Sequence, residues 1–264
     1  MLVAYQQRND TLFSFWKLPE CSYLFQAGTK GQGPNDFLML DRTFQPTQQG
    51  FKAFEIATNR VKEVIVKPTG EFNVTLTKQL NVEQQGLNRF LFLENDSYCF
   101  VSDREEYEYA LLSRDESIHY FSDYPQNLLT AEEGTPNRFT YNKLVVSHPE
   151  GNKFAAFYAY VKLCRIYNSQ GELLKETLLT SPSANSTEER HTYYSSYPCA
   201  DRNHIYILTK EEEGTMLEVW NWEGILETRY LLDKPVTCIT RPVDGILYAL
   251  CRDKENVIYT YPIP

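Results

Sequence analysis

No apolar run in this chain approaches the roughly 18–20 residues that a membrane-spanning helix needs, so no transmembrane segment is expected. No helical hydrophobic period separates the apolar stretches, which excludes helical bundles and alternating α/β architectures. There is no Pro/Gly/Ser tract and no abrupt change in composition. A single domain over residues 1–264 is therefore the expected organisation. Positive charge is in deficit: 26 Lys and Arg stand against 35 Asp and Glu, for a net charge of −9. A nucleic-acid binder needs a basic stripe to displace counterions from phosphates, and none is visible, so no nucleic-acid partner is expected. The six cysteines form no CxxC and no metal-ligand spacing. The four histidines, His119, His148, His191 and His204, occur singly, and no Gly-x-Ser-x-Gly nucleophile elbow is present.

What the chain has is a repeated β-hairpin. Arg165-Ile166-Tyr167-Asn168-Ser169-Gln170-Gly171-Glu172-Leu173 matches Glu218-Val219-Trp220-Asn221-Trp222-Glu223-Gly224-Ile225-Leu226. Each reads as apolar strand, a turn with Asn first and Gly last, then strand. The 19 Tyr and 15 Phe suit pleated surfaces covered by aromatic and β-branched side chains. Short strands repeated without helices predict a radial fold. At four short antiparallel strands per unit, the chain accommodates six blades of roughly 44 residues, a six-bladed β-propeller. A two-sheet sandwich, the rival all-β fold, has fewer strands and no such period. The blades are expected to begin near residues 1, 52, 88, 137, 192 and 236. Ring closure predicts that the strand Leu2-Val3-Ala4-Tyr5 pairs beside the last blade, which removes two exposed edges.

The segment Gly28-Thr29-Lys30-Gly31-Gln32-Gly33-Pro34-Asn35-Asp36-Phe37 reads first as a turn. It lacks the Lys-Ser/Thr ending of a phosphate loop. It also resembles the blade-connecting signature G-x-x-G-x-G-P-x-E/D-F of the bacterial TolB-like six-bladed propellers, a largely uncharacterised family. Gly28, Gly31, Gly33, Pro34, Asp36 and Phe37 carry the match. Ser147-His148-Pro149-Glu150-Gly151-Asn152-Lys153-Phe154-Ala155-Ala156, followed by Leu163-Cys164-Arg165-Ile166-Tyr167, is similar to that family's fourth blade. The resemblance implies a propeller from a Gram-negative gut bacterium, and a place in the periplasm or cell envelope, since members are often exported lipoproteins. Leu18-Pro19-Glu20-Cys21 departs from a lipobox. Met1 leads directly into strand-like sequence with no signal peptide, so the cytoplasm is the other expectation. The family supplies no agreed catalytic residues.

Propellers bind ligands at the channel mouth, where the innermost strand of each blade begins; that placement rests on fold analogy. Asn88-Arg89-Phe90 and Asn137-Arg138-Phe139 are identical triplets near two such starts, and Asn35-Asp36-Phe37 is a variant. Arg89, Arg138, Arg190, His191 and Tyr193 are the candidate ligand-binding residues, with Arg forks for anions and Tyr rings for apolar faces. The competing reading makes Asn a turn cap, Arg a solvated side chain and Phe core. The main functional expectation is a monomeric, non-catalytic binding or interaction module without cofactor. Its partner would be a protein, a peptide or a glycan. The alternative is a lactonase-like hydrolase holding calcium through the hard oxygens of Asp36, Asn88 and Asn137. The polar stretch 181–190, ending at Arg190, is a candidate functional loop or a plain connector.

One cysteine pair stands out. Asp244-Gly245 signals a two-residue type I′ turn that sets Val243 opposite Ile246. Counting outward places Cys238 opposite Cys251, either as a cross-strand bridge or as two buried thiols.

Overall fold

The computed structural model describes residues 1–33, 35–82, 87–130, 133–179, 191–251, 254 and 257–263. Its sheets are the blades of a six-bladed β-propeller of four-stranded antiparallel blades, with three strands described in the first and in the last. The chain falls into two compact units, Met1–Phe90 and Leu91–Pro264.

The first unit holds two blades. Strands β1 (Leu2–Tyr5), β2 (Thr11–Lys17) and β3 (Ser22–Thr29) form one; β4 (Gln45–Pro46), β5 (Gly50–Glu55), β6 (Arg60–Val66) and β7 (Phe72–Gln79) form the other. Their facing sides make an aromatic layer. Phe13 and Phe37 are buried in it edge to face, with centroids 5.6 Å apart, and Phe13 also contacts Phe51 at 5.0 Å. Among the described residues, the pairing found for the N-terminal strand is with its own neighbour. β1 pairs with β2, from Leu2 opposite Trp16 to Tyr5 opposite Phe13. Local pairing wins because the connection is short, so little loop entropy is lost. Gln6 N–H closes that connection on Leu12 O at 2.7 Å.

The second unit holds four blades. The third comprises β8 (Leu91–Phe92), β9 (Tyr98–Val101), β10 (Tyr109–Leu112) and β11 (Ile118–Phe121). The fourth comprises β12 (Lys143–Ser147), β13 (Lys153–Tyr158), β14 (Leu163–Asn168) and β15 (Leu173–Leu178). The fifth comprises β16 (Cys199–Ala200), β17 (His204–Glu211), β18 (Gly214–Asn221) and β19 (Leu226–Leu232). The sixth comprises β20 (Cys238–Ile239), β21 (Ile246–Leu250) and β22 (Ile258–Pro262). Core layers lie between successive blades. Phe154, Tyr158 and Tyr167 face Tyr109 and Phe121 of the third blade, while Phe157 and Ile166 face Trp220 and Ile207 of the fifth.

The repeated hairpin turn is built the same way twice. Asn168 Oδ1 accepts the N–H groups of Gln170 and Glu172 at 3.0 and 2.9 Å. Asn221 Oδ1 accepts those of Glu223 and Ile225 at 3.1 and 3.0 Å. Gly171 and Gly224 take φ of 88° and 72°, the left-handed region where a side chain is strained. A β-carbon would also stand 2.8 Å from Phe121 at the first turn and 2.8 Å from Lys175 at the second. The motif recurs because each turn packs on the outer strand of the preceding blade.

Two local expectations are corrected. The fourth blade opens at Lys143, not at Asn137; the Asn137–Thr140 segment is a helical turn, α1. Pro136 starts that turn, and its carbonyl accepts Phe139 N–H at 3.0 Å. In the sixth blade the type I′ turn is as expected, with φ of 52° at Asp244 and 74° at Gly245 and mutual bonds between Val243 and Ile246. Beyond it the register slips by one residue, so Cys238 faces Leu250 and Ile239 faces Ala249. The extra residue lies within 240–242, as in a β-bulge. All six cysteines are free thiols.

Candidate functional site

In the second unit, the starts of β8, β12 and β16 define one end of the blades, and the turns that leave β12 and β16 define the other. Charge at the first end is buried and mutually compensated. Glu108, wholly inaccessible, pairs with Lys143 Nζ and with Arg165 Nη1, the latter at 2.7 Å. The Tyr158 hydroxyl sits 2.8 Å from both carboxylate oxygens. Burial pulls the Lys143 ammonium down, and Glu108 opposes that pull. Rings of Tyr109 and Tyr124 flank the ammonium at 4.6 and 4.8 Å.

A second buried group occupies the same end of the fifth blade. Glu218 Oε2 accepts Tyr194 O–H and Trp220 Nε1–H, each at 3.0 Å. Its Oε1 has no hydrogen bond among the described residues, and Arg229 Nε stands 3.4 Å away. Burial raises the Glu218 carboxyl above its ordinary value, with Trp220 and Tyr194 opposing. Beside it Glu211 pairs with both Lys162 and Arg229.

The candidates from sequence fall among these contacts. Arg138, on α1, donates to Asp103 O at 3.4 Å and lies over Phe139 at 5.1 Å. His191 Nε2 lies 3.2 Å from Lys210 O, and its ring meets Tyr193 edge to face at 4.5 Å. Lys162 covers the Tyr193 ring at 5.3 Å. His191 and Tyr193 are thus brought together, whereas Arg138 is tied to the β9–β10 connection. Arg190 and the stretch 181–190 lie outside the described residues.

Arg89 belongs to the first unit. Its backbone takes φ of 55°, and its N–H donates to Asp41 Oδ2 at 2.8 Å. Burial draws the Arg89 guanidinium below its ordinary value. Phe90 stacks on Phe54 at 3.9 Å. The identical triplets therefore do different work: Phe90 is fully buried and Phe139 is 57% exposed.

The three residues considered for calcium hold their oxygens differently. Asp36 binds its own loop, accepting Thr29 O–H on Oδ1 and Gly33 N–H on Oδ2 at 3.0 Å. The Thr29 bond is the main cause that holds its carboxyl below the usual range. A β-carbon at Gly31 would stand 2.4 Å from that carboxylate, which explains the small residue in the signature. Asn137 is fixed by Glu105, which accepts its backbone N–H at 2.8 Å and its amide N–H at 3.3 Å. Asn88 is exposed. Among the described residues no three His, Cys, Asp or Glu side chains are grouped as a metal site.

The other end of the fourth and fifth blades carries an open cleft of about 440 Å³, within the range of ligand pockets. Three turns frame it: residues 148–153 after β12, 201–203 after β16, and 221–225 after β18. His148 clasps two of them. Glu150 N–H donates to its Nδ1 at 3.1 Å, which places the ring proton on Nε2, and that nitrogen reaches Arg202 O at 3.1 Å. Its ring packs edge to face on Trp222 at 4.9 Å, and Trp222 Nε1 donates to Asp201 O at 3.0 Å. Arg202 pairs with Glu150 at 3.4 Å, and His204 with Glu227 at 3.0 Å. Sequence reading missed this site. The family-like stretch from Ser147 to Ala156 contains His148 and Lys153, but nothing in it announces that the turn meets residues some fifty positions on.

No family model matches the chain, and no curated protein matches it. Solved structures match its fold. A member of the DUF4221 family from Bacteroides vulgatus superposes with a TM-score of 0.59 at 10% identity, covering 95% of this chain and 86% of that one. The structure of a nidogen/laminin complex gives 0.55 at 9% identity, covering 99% and 88%. A candidate exported protein from Bacteroides fragilis gives 0.52 at 11% identity, covering 94% and 78%. At these identities the likeness establishes the architecture alone, and the chain is a six-bladed β-propeller.

Proposed function

We propose that this chain is a non-catalytic binding propeller whose ligand sits in the cleft between the turns of the fourth and fifth blades. One observation carries the reading: three turns from neighbouring blades, fixed by His148 and Trp222, frame an open cleft of about 440 Å³ lined by polar side chains. Rigid turns holding side chains around a concavity are what a binding site requires, since little ordering is lost when a ligand enters. At the opposite end Glu108 is held by Lys143 and Arg165, and Glu218 by Tyr194 and Trp220, which fits a structural role there. The likeness of residues 28–37 to TolB-like propellers supports kinship with that group and a place in the cell envelope, which fractionation of the native host tests directly.

The experiment is a thermal-shift screen of the full chain against sugars, peptides and small metabolites. A ligand that binds only the folded state raises the melting temperature by mass action. The reading expects a hit that is recovered chemically unchanged and that is lost in Lys153→Ala and Arg202→Ala. Conversion of the hit to product would reject the non-catalytic role. A hit insensitive to both substitutions but lost in Arg89→Ala with Arg138→Ala would move the ligand to the residues first singled out in the sequence.

A further inference from the structure

We propose that the cleft takes a neutral polyhydroxylated ligand, a sugar residue in chemical class. This rests on the binding role proposed above and names its ligand. The argument is a balance of unused hydrogen-bonding groups. Glu150 and Glu227 are already matched, by Arg202 and by His204 with Asn221 Nδ2. Asn221 Oδ1 is committed to its own turn. Among the described residues, the Lys153 ammonium, the Glu223 carboxylate and the Asn203 amide make no side-chain hydrogen bond or ion pair, and all three line the cleft. Asn152 lines it too, and its Oδ1 is buried without a hydrogen-bond partner. A buried acceptor left unmatched is unfavourable until a donor arrives. The broad χ2 well of an asparagine lets the amide turn toward the cleft.

The unused set therefore mixes a strong donor, a strong acceptor and two amides. A ligand of one charge is poorly served. An anion drawn to Lys153 would face Glu150, Glu223 and Glu227, and a cation drawn to Glu223 would face Lys153 and Arg202. Hydroxyl groups donate and accept at the same atom. Neighbouring hydroxyls on one ring can give a proton to Asn152 Oδ1 and Glu223 while taking one from Lys153 and Asn203. No apolar platform competes for the ligand, because the Trp222 ring is 5% exposed and covered by His148.

The test is calorimetric titration of the full chain with glucose, galactose, mannose, N-acetylglucosamine and myo-inositol, and with glutamate and spermidine as charged comparators. At least one neutral compound is expected to bind. Its affinity should fall at least tenfold in Asn152→Ala and in Lys153→Met, with melting temperatures within ~2 °C of the parent. Tighter binding of glutamate or spermidine than of every neutral compound would overturn the sugar assignment while leaving the binding cleft standing, provided that Lys153→Met abolishes it. A bound sugar that keeps its affinity in both variants would overturn the assignment of the site. Absence of binding by every neutral compound overturns the proposal, and a cleft-dependent hit of another class in the wider screen would still sustain the binding role.

Discussion

The two ends of the fourth and fifth blades are made from similar residues put to opposite use. At the end where the innermost strands begin, buried Glu108 binds Lys143 and Arg165, buried Lys162 pairs with Glu211, and buried Glu218 is held by Tyr194, Trp220 and Arg229. At the other end, charged and amide groups stand around open volume, and several have no partner among the described residues. The difference teaches that burial, rather than charge, sorts structure from function here. A buried ion must be matched inside the protein, because removal from water is so unfavourable. A group on a cleft wall keeps its water until a ligand replaces it.

The largest effect should come from breaking the buried end. Glu108→Gln leaves Lys143 buried without its anion and Arg165 with Glu176 alone, and a loss of about 3–5 kcal/mol in urea unfolding is expected. A loss under 1 kcal/mol would mean that the cluster is wetter than its burial indicates. Next comes the geometry that seats one blade on another. Gly224→Ala sets a β-carbon at φ of 72° against Lys175, for a cost of about 1–3 kcal/mol read from the same unfolding curves.

A smaller effect sharpens the contrast between two buried carboxylates. Burial lifts Glu218 above 4.5, so the folded state holds its proton more tightly than the unfolded chain does. Its stabilising contribution is full below that value and is lost as pH rises through the lifted one. Glu218→Gln removes this loss. The melting temperature of the variant relative to the parent should therefore climb from acid toward neutral pH. Glu55 in the first unit runs the other way. Burial raises it, but donors from Lys62, Thr58 and the Leu38 N–H outweigh burial and hold it below 4.5. Its contribution is present above that value and lost as pH falls. Glu55→Gln should then be most damaging at neutral pH and nearly silent in acid. Parallel pH–melt curves for the two variants would contradict both assignments.

The smallest effects belong to the cleft. Lys153→Ala and Arg202→Ala should change stability by no more than ~0.5 kcal/mol, since neither side chain supports the core. EDTA should leave the melt unmoved, because both Asp36 carboxylate oxygens are already hydrogen-bonded within their own loop. A drop restored by calcium would revive the hydrolase alternative.

Much of the architecture was legible because its signals are local. The Asn–x–x–Gly turns and the type I′ turn at Asp244-Gly245 each depend on a few consecutive residues, and they are found where read. Identical triplets misled because local sequence does not set the surroundings. Arg89 N–H is held by Asp41, whereas Asn137 N–H is held by Glu105 behind a proline. The cysteine register failed for a related reason: one extra residue before the type I′ turn shifts every pair beyond it. By itself the sequence determined a repeated antiparallel fold, because backbone geometry and alternation are nearest-neighbour properties. Only the tertiary structure decided which charges are matched in the interior and which line a cleft. That choice rests on contacts between turns far apart in the chain, such as His148 with Arg202 and Trp222.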